Sequence, residues 1–239
     1  MEITEAHVIF EDNHLIAINK QAGAIVQGDK TEDTPLSEHV KDFIRKKYGK
    51  LGNVYCGVVH RIDRPVSGVV IFAKTSKALA RMNQLIHDRQ IRKHYWAIVR
   101  KAPDTTKDNL VHYLFKDERK NKTVVSKDPK DGYLKAEMNY EVVGSSDYYH
   151  LLDVELITGR HHQIRAQLSA IGSPIKGDLK YGFPRSNQDA SICLHAKSMS
   201  FIHPVTLQTV VLKADPPRNK LWNCFADFTG IILDDAMTE

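Results

Sequence analysis

The sequence predicts an α+β fold around a mixed, largely antiparallel β-sheet. The segments read as about ten strands and three helices, and strands do not alternate regularly with helices as they would in a doubly wound parallel sheet. No Pro/Gly/Ser-rich linker divides the 239 residues, so one domain is expected over 1–225, followed by a tail over 226–239.

The elements follow from local pattern. HVIFEDNHLIAIN (7–19) reads as two short strands joined at Asp12-Asn13. Thr34 is the expected N-cap of a first helix, with Pro35 in its first turn and Leu36, Val40, Phe43 and Ile44 at helical spacing. VVIFA (69–73) is a continuous apolar run, as in a strand covered on both faces. Thr75 or Ser76 caps a second helix with Ala78, Leu79, Met82, Leu85 and Ile86 as its stripe. YWAIV (95–99) is another buried strand. Residues 110–157 are strand-rich, with turns at Asp131-Gly132 and 144–147. Thr158 is the expected N-cap of a third helix carrying Ile164, Leu168 and Ile171, with Gly172 ending it before Pro174. Strands resume at 192–201 and 208–213, and no strong pattern follows residue 225.

Composition narrows the class of protein. No apolar run approaches the roughly 20 residues needed to span a bilayer. The acidic start MEITEAHVIFEDNH does not resemble a signal peptide, so a cytoplasmic protein is expected. Cys56, Cys193 and Cys224 form no CxxC pair and suggest neither a disulfide framework nor a zinc site. Lys+Arg exceed Asp+Glu by 34 − 29 = 5, which permits a polyanionic partner without requiring one. Local runs say more: Lys116, Arg119, Lys120, Lys122, Lys127 and Lys130 crowd 116–130, and Arg89, Arg92 and Lys93 crowd 89–94. Such runs are ordinarily solvated faces and gain meaning only beside another nucleic-acid signal.

Two segments carry chemistry. HRIDRPVSG (60–68) sets Asp63 between Arg61 and Arg64 in a loop feeding a buried strand. Flanking cations keep a carboxylate ionised, and such loops commonly hold functional groups; a structural ion-pair cluster would look the same. In TGRHHQIR (158–165), the helix start and Arg160 offer an anion site, and Arg165 stands at the edge of the apolar stripe, where it could reach a carboxylate from elsewhere. Adjacent His161 and His162 would point in different directions on a helix. No HExxH or Cys/His finger spacing occurs, and Gly49 and Gly52 form no phosphate-binding loop.

HRIDRPVSGVVIFAKT, KHYWAIV and LITGRHHQIRAQLSAIGSPIKGDLKYG, in this order, resemble the RluA family of RNA pseudouridine synthases. The resemblance runs from NKQAG (19–23) to CLHAKSMSFIHPVT (193–206). It departs at Gln21, where proline is common, and at Gln167, where histidine is common. It implies the pseudouridine synthase fold with a central RNA-binding cleft, present as a stand-alone catalytic domain without an N-terminal S4 domain. It implies Asp63 as the catalytic carboxylate, Arg61 in flipping the target nucleotide, Tyr95 packing on the target base, and Arg165 pairing with Asp63. His60, Arg64, Lys93, Arg160, Lys120 and Lys122 are then expected to contact RNA.

The implied reaction breaks the N1–C1′ bond of uridine, turns the base and rejoins it through C5. The nucleotide must leave its stack, and an arginine plane can fill the gap. A carboxylate can stabilise the sugar cation, attack C1′ or remove a sugar proton; the residues do not choose among these. No redox change occurs, so no cofactor or metal is expected. The partner is rRNA, tRNA or both, and a monomer is expected. Two other readings share the residues: a catalytically silent RNA-binding module, and a hydrolase using Asp63 with His60 or His195.

Overall fold

The computed structural model describes residues 2–28 and 32–230. The described residues form two compact units, one from those up to 93 with 196–214, the other from 94–195 with 215–230.

In the first unit, β1 (Val8–Glu11) and β2 (Leu15–Lys20) form the expected hairpin. Asp12 closes its turn by accepting from the backbone N–H groups of His14 and Leu15, both at 2.7 Å. Helix α1 is Leu36–Lys47. Thr34 is not its cap: Pro35 holds that position in extended backbone, and a proline ring offers no side-chain acceptor. The predicted stripe of Leu36, Val40, Phe43 and Ile44 is buried. Strand β3 (Gly57–Val58) and β4 (Ser67–Ala73) pair antiparallel, and every residue of β4 is buried. Helix α2 (Ser76–His87) is capped as expected, Thr75 Oγ1 accepting from Ala78 N at 3.1 Å.

In the second unit, β5 (Arg92–Val99), which begins in the last residues of the first, starts three residues before the predicted YWAIV. The basic residues ahead of Tyr95 extend the strand because His94 pairs across to Glu155 and Asp153 takes its ring. Next come β6 (Lys107–Asp117), β7 (Lys122–Ser126), β8 (Leu134–Ser145) and β9 (His150–Leu156). They pair antiparallel in the order β5-β9-β8-β6-β7. Helix α3 is Gln163–Ala170. Gly172, at φ 80°, ends it: Gly172 N donates to Ser169 O and Ser173 N to Leu168 O, at 3.0 and 2.9 Å. Strand β10 (Leu194–Ile202) runs from the second unit into the first and pairs there with β11 (Thr209–Lys213). Short helices α4 (Lys220–Asn223) and α5 (Ala226–Thr229) follow in the second unit; four residues each are too few to show periodicity in sequence. Most of the expected tail, 231–239, lies outside the described residues.

The core of the first unit joins Leu15 and Ala17 of β2, Val69, Ile71 and Ala73 of β4, Ala78 and Met82 of α2, and Met199 and Phe201 of β10. At Gly68, β4 comes close to the backbone of β10. This glycine has φ +116°, and a Cβ there would lie 2.3 Å from Ala196 O. Gly68→Ala is therefore expected to destabilise the protein by roughly 2–5 kcal/mol, the sum of an unfavourable backbone and overpacking. The readout is the urea midpoint at constant m; an unchanged midpoint would contradict so close an approach.

Among the described residues, no helix is long and apolar enough to cross a membrane.

Candidate active site

The loop that holds Asp63 is pinned at several points within the first unit. His60 Nε2 accepts from Ile71 N–H at 3.1 Å, tying the loop start to β4. An accepting Nε2 must be unprotonated, and burial, helped by the nearby Lys93 ammonium, pulls the His60 pKa down to about 3. His60 is thus a neutral structural acceptor. The lone pair that a hydrolytic base would use is already engaged.

Further along, Asp63 O accepts from Val66 N at 3.0 Å, closing a turn. Arg64 O accepts from Gly23 N at 2.8 Å and from Lys20 Nζ at 3.1 Å. Lys20 is wholly buried, and its ammonium also donates to Gln21 O at 3.0 Å and Ala24 O at 2.8 Å. Burial pulls its pKa down to about 7; the Asp63 carboxylate opposes that fall and Arg64 adds to it. The end of β2, with the NKQAG segment, therefore supports the Asp63 loop through one buried cation. Gln21, an atypical position, has an exposed side chain and gives Lys20 its backbone carbonyl.

The two arginines flanking Asp63 are both exposed. Arg64 reaches Asp33 at 2.8 Å, with both side chains about half exposed (48% and 50%), so the pair contributes little stability. Lys93 is half-buried, and burial lowers its pKa.

In the second unit, Tyr95 is 9% exposed and lies opposite Val154, next to the first pair of the β5–β9 ladder. It does not start its strand as expected. Its neighbour Trp96 stacks on His195 at 6.2 Å, and Trp222 meets that fully buried imidazole edge-on at 6.0 Å.

The segment before α3 is the clearest departure from expectation. Helix α3 begins five residues after Thr158, with His162 in the left-handed region at φ 50° as its N-cap. Thr158 Oγ1 instead accepts from Glu137 N at 2.8 Å and donates to Gln163 Oε1 at 2.8 Å. The Gln163 amide completes the loop: its Oε1 accepts from Arg160 N at 3.0 Å, and its Nε2 donates to Glu137 O at 3.1 Å. Arg160 is therefore a loop residue, half-buried, with Nε donating to Lys135 O at 3.2 Å. Nor do His161 and His162 diverge. Their rings stack at 3.7 Å because they precede the helix and do not lie on it.

Arg165 is buried and held by a carboxylate that pattern did not single out. Its Nε and Nη2 donate to Asp178 Oδ2 and Oδ1 at 2.6 and 2.9 Å, with side-chain exposures of 6% and 1%. A bidentate pair of this kind fixes the plane of the guanidinium. Tyr181 lies below it, its ring centroid 5.0 Å from Arg165 Cζ. Both partners come from GDLKYG (177–182), bracketed by Gly177 at φ +89° and Gly182 at φ +96°. A Cβ at Gly177 would meet Ser191 O at 2.8 Å, so only glycine fits. Those two glycines were the available signal that the segment is held in a special conformation. Gln167, the other atypical position, is fully buried and binds Leu110 O and His112 Nδ1 at 3.1 and 3.0 Å, fastening α3 to β6.

Lys120 and Lys122 flank the turn of the β6–β7 hairpin, where Asn121 takes φ 45°. Arg119, Lys120 and Lys127 are exposed, Lys116 pairs with Glu118 at 2.8 Å, and Lys122 Nζ lies 5.3 Å from the Tyr181 ring centroid.

The fold so built is that of the pseudouridine synthases. The human RNA pseudouridylate synthase domain containing 4 superposes with a TM-score of 0.76 at 21% identity, over 96% of this chain and 95% of that one. A family model described as RNA pseudouridylate synthase matches residues 14–170. Among curated relatives, the dual-specificity RNA pseudouridine synthase RluA of Haemophilus influenzae is 30% identical over 87% of this chain and 91% of its own length. The tRNA pseudouridine synthase C of Haemophilus ducreyi is 30% identical over 92% and 96%. The ribosomal large subunit pseudouridine synthase C of Buchnera aphidicola subsp. Baizongia pistaciae is 31% identical over 87% of this chain, which spans 66% of that protein's length. The chain belongs to the RluA-type RNA pseudouridylate synthase family, a family of isomerases.

Proposed function

We propose that this protein converts specific uridines of structured ribosomal or transfer RNA to pseudouridine, with Asp63 as the catalytic carboxylate. The observation that carries the reading is the loop itself. Asp63 stands on a turn pinned by His60, Gly23 and Lys20 at the entrance of a wholly buried strand. A reacting group held on so rigid a base keeps its orientation while the base of the substrate turns. The names of the relatives, which include ribosomal, transfer-RNA and dual-specificity enzymes, support the substrate class.

In this reading, Arg61 enters the RNA stack and takes the place of the extruded nucleotide; its exposure suits that task. Tyr95 is the aromatic platform for the detached uracil. Arg165 is the basic residue of the chemistry, its guanidinium plane set by the Asp178 carboxylate. The test is tritium release from RNA carrying tritium at uridine C5, because joining C5 to C1′ sends that hydrogen to water. Release from tRNA or rRNA transcripts supports the reading, and each transcript reports its own substrate class. No release from either class would refute it.

The exposed hairpin cations Arg119, Lys120 and Lys127 are proposed to hold phosphates. Changing all three to Gln should weaken RNA binding and lower the slope of log K against log salt by about 2. An unchanged slope would return them to an ordinary solvated face.

A further inference from the structure

The second unit contains a phenol packed against the Arg165 guanidinium, and we infer that Tyr181 is a positioning residue for pseudouridine formation, acting through Arg165. The inference rests on the role given to Arg165 above.

Tyr181 is 4% exposed and carries three separate ties. Its ring lies under the Arg165 guanidinium at 5.0 Å, and Lys122 Nζ lies 5.3 Å from the same centroid. Its hydroxyl meets the backbone N–H of Thr123 at 2.8 Å and His162 Nδ1 at 2.9 Å. Its backbone carbonyl accepts from Ser169 Oγ of α3 at 2.6 Å. An amide N–H can only donate, so the phenol oxygen accepts from Thr123, while its bond with His162 Nδ1 runs in the direction set by the imidazole tautomer. Burial does most to pull the His162 pKa down to about 2, and the Arg165 charge adds to the fall.

The chain of bonds thus runs from Thr123 N–H through the Tyr181 hydroxyl to His162 Nδ1. Thr123 belongs to β7, the outer strand of the basic hairpin, and is fixed again by its own hydroxyl, which donates to His161 O at 2.7 Å. His162 is the left-handed residue that starts α3, the helix that carries Arg165. Asp178 fixes the guanidinium in its plane, while Tyr181 fixes the face of that plane and ties it to β7. The hydroxyl does this work without touching Arg165, so removing it tests positioning apart from ring contact.

The experiment compares Tyr181→Phe and Tyr181→Leu with wild type in single-turnover assays at saturating RNA, alongside KM and thermal midpoints. Tyr181→Phe keeps the ring and loses two hydrogen bonds. It should lower kcat about tenfold with KM nearly unchanged, and Tyr181→Leu should lower it further. A merely structural residue would lower the midpoint and leave the turnover of the folded enzyme intact, which would overturn the inference. The second arm repeats Tyr181→Phe in an Arg165→Lys background. If the phenol acts through Arg165, the two losses overlap and the double variant is no slower than Arg165→Lys alone. Fully multiplicative losses would overturn the inference and leave the role of Arg165 standing. Wild-type turnover in Arg165→Lys and Arg165→Met would overturn that role and the inference with it. Should Tyr181→Leu fail to fold, Tyr181→Phe alone decides, since it changes no packing volume beyond one oxygen.

Discussion

Asp63→Asn is expected to abolish turnover, a loss of about 10^3-fold or more, while RNA still binds. The substitution keeps the size and planarity of the side chain and removes only its charge and basicity. The bonds that the His60 imidazole, Gly23 N–H and the Lys20 ammonium make to Ile71 N–H and Arg64 O run to backbone atoms, which the substitution leaves in place. The variant should therefore fold and bind as wild type does. The Lys20 ammonium loses a favourable neighbour, so its pKa should fall below the value near 7 that it has beside Asp63. Nuclear magnetic resonance of the lysine ammonium would read that fall. Substantial pseudouridine formation by the Asn variant would remove Asp63 from the chemistry.

The second large effect is expected at Tyr95. Tyr95→Leu should lose nearly all activity. Base–aromatic stacking is worth about 1–3 kcal/mol, or roughly 5- to 150-fold in rate, so a larger loss requires a second role for the residue. Tyr95→Phe separates the two. If it falls as far as Leu, the hydroxyl takes part in proton transfer, and this is the expected result. If it turns over normally, the ring alone matters. Because Tyr95 is buried in the β5–β9 pairing, both variants must be assayed well below their thermal midpoints. Wild-type rates in folded Tyr95→Leu would reduce the residue to ordinary core.

Much of the fold was legible because it follows periodicity. The buried run of β4, the Thr75 cap of α2 and the Gly172 end of α3 all obey local rules. What escaped was decided by distant partners. Thr158 has the hydroxyl of an N-cap, yet Glu137, 21 positions earlier, takes it, and the helix waits for Gln163. The bend at Asn121 is hidden inside KDERKNK, a run that reads as charge before it reads as a turn. Asp178 lies 13 positions from Arg165 in a segment with no period, so no helix or strand rule could pair them. The family resemblance named Asp63, Tyr95 and Arg165. It did not single out Lys20 beneath the Asp63 loop, or Asp178 and Tyr181 around Arg165, and it set His60 against RNA, whereas His60 ties the Asp63 loop to β4.

The central claim is that the chain rearranges uridine without losing its base. The most direct test digests tRNA and rRNA transcripts to nucleosides after incubation with the purified protein and measures uridine, pseudouridine and free uracil together. The account predicts that pseudouridine rises by the amount that uridine falls, with no free uracil, and that Asp63→Asn leaves uridine untouched. Release of uracil, or formation of pseudouridine by the Asn variant at the wild-type rate, would contradict it.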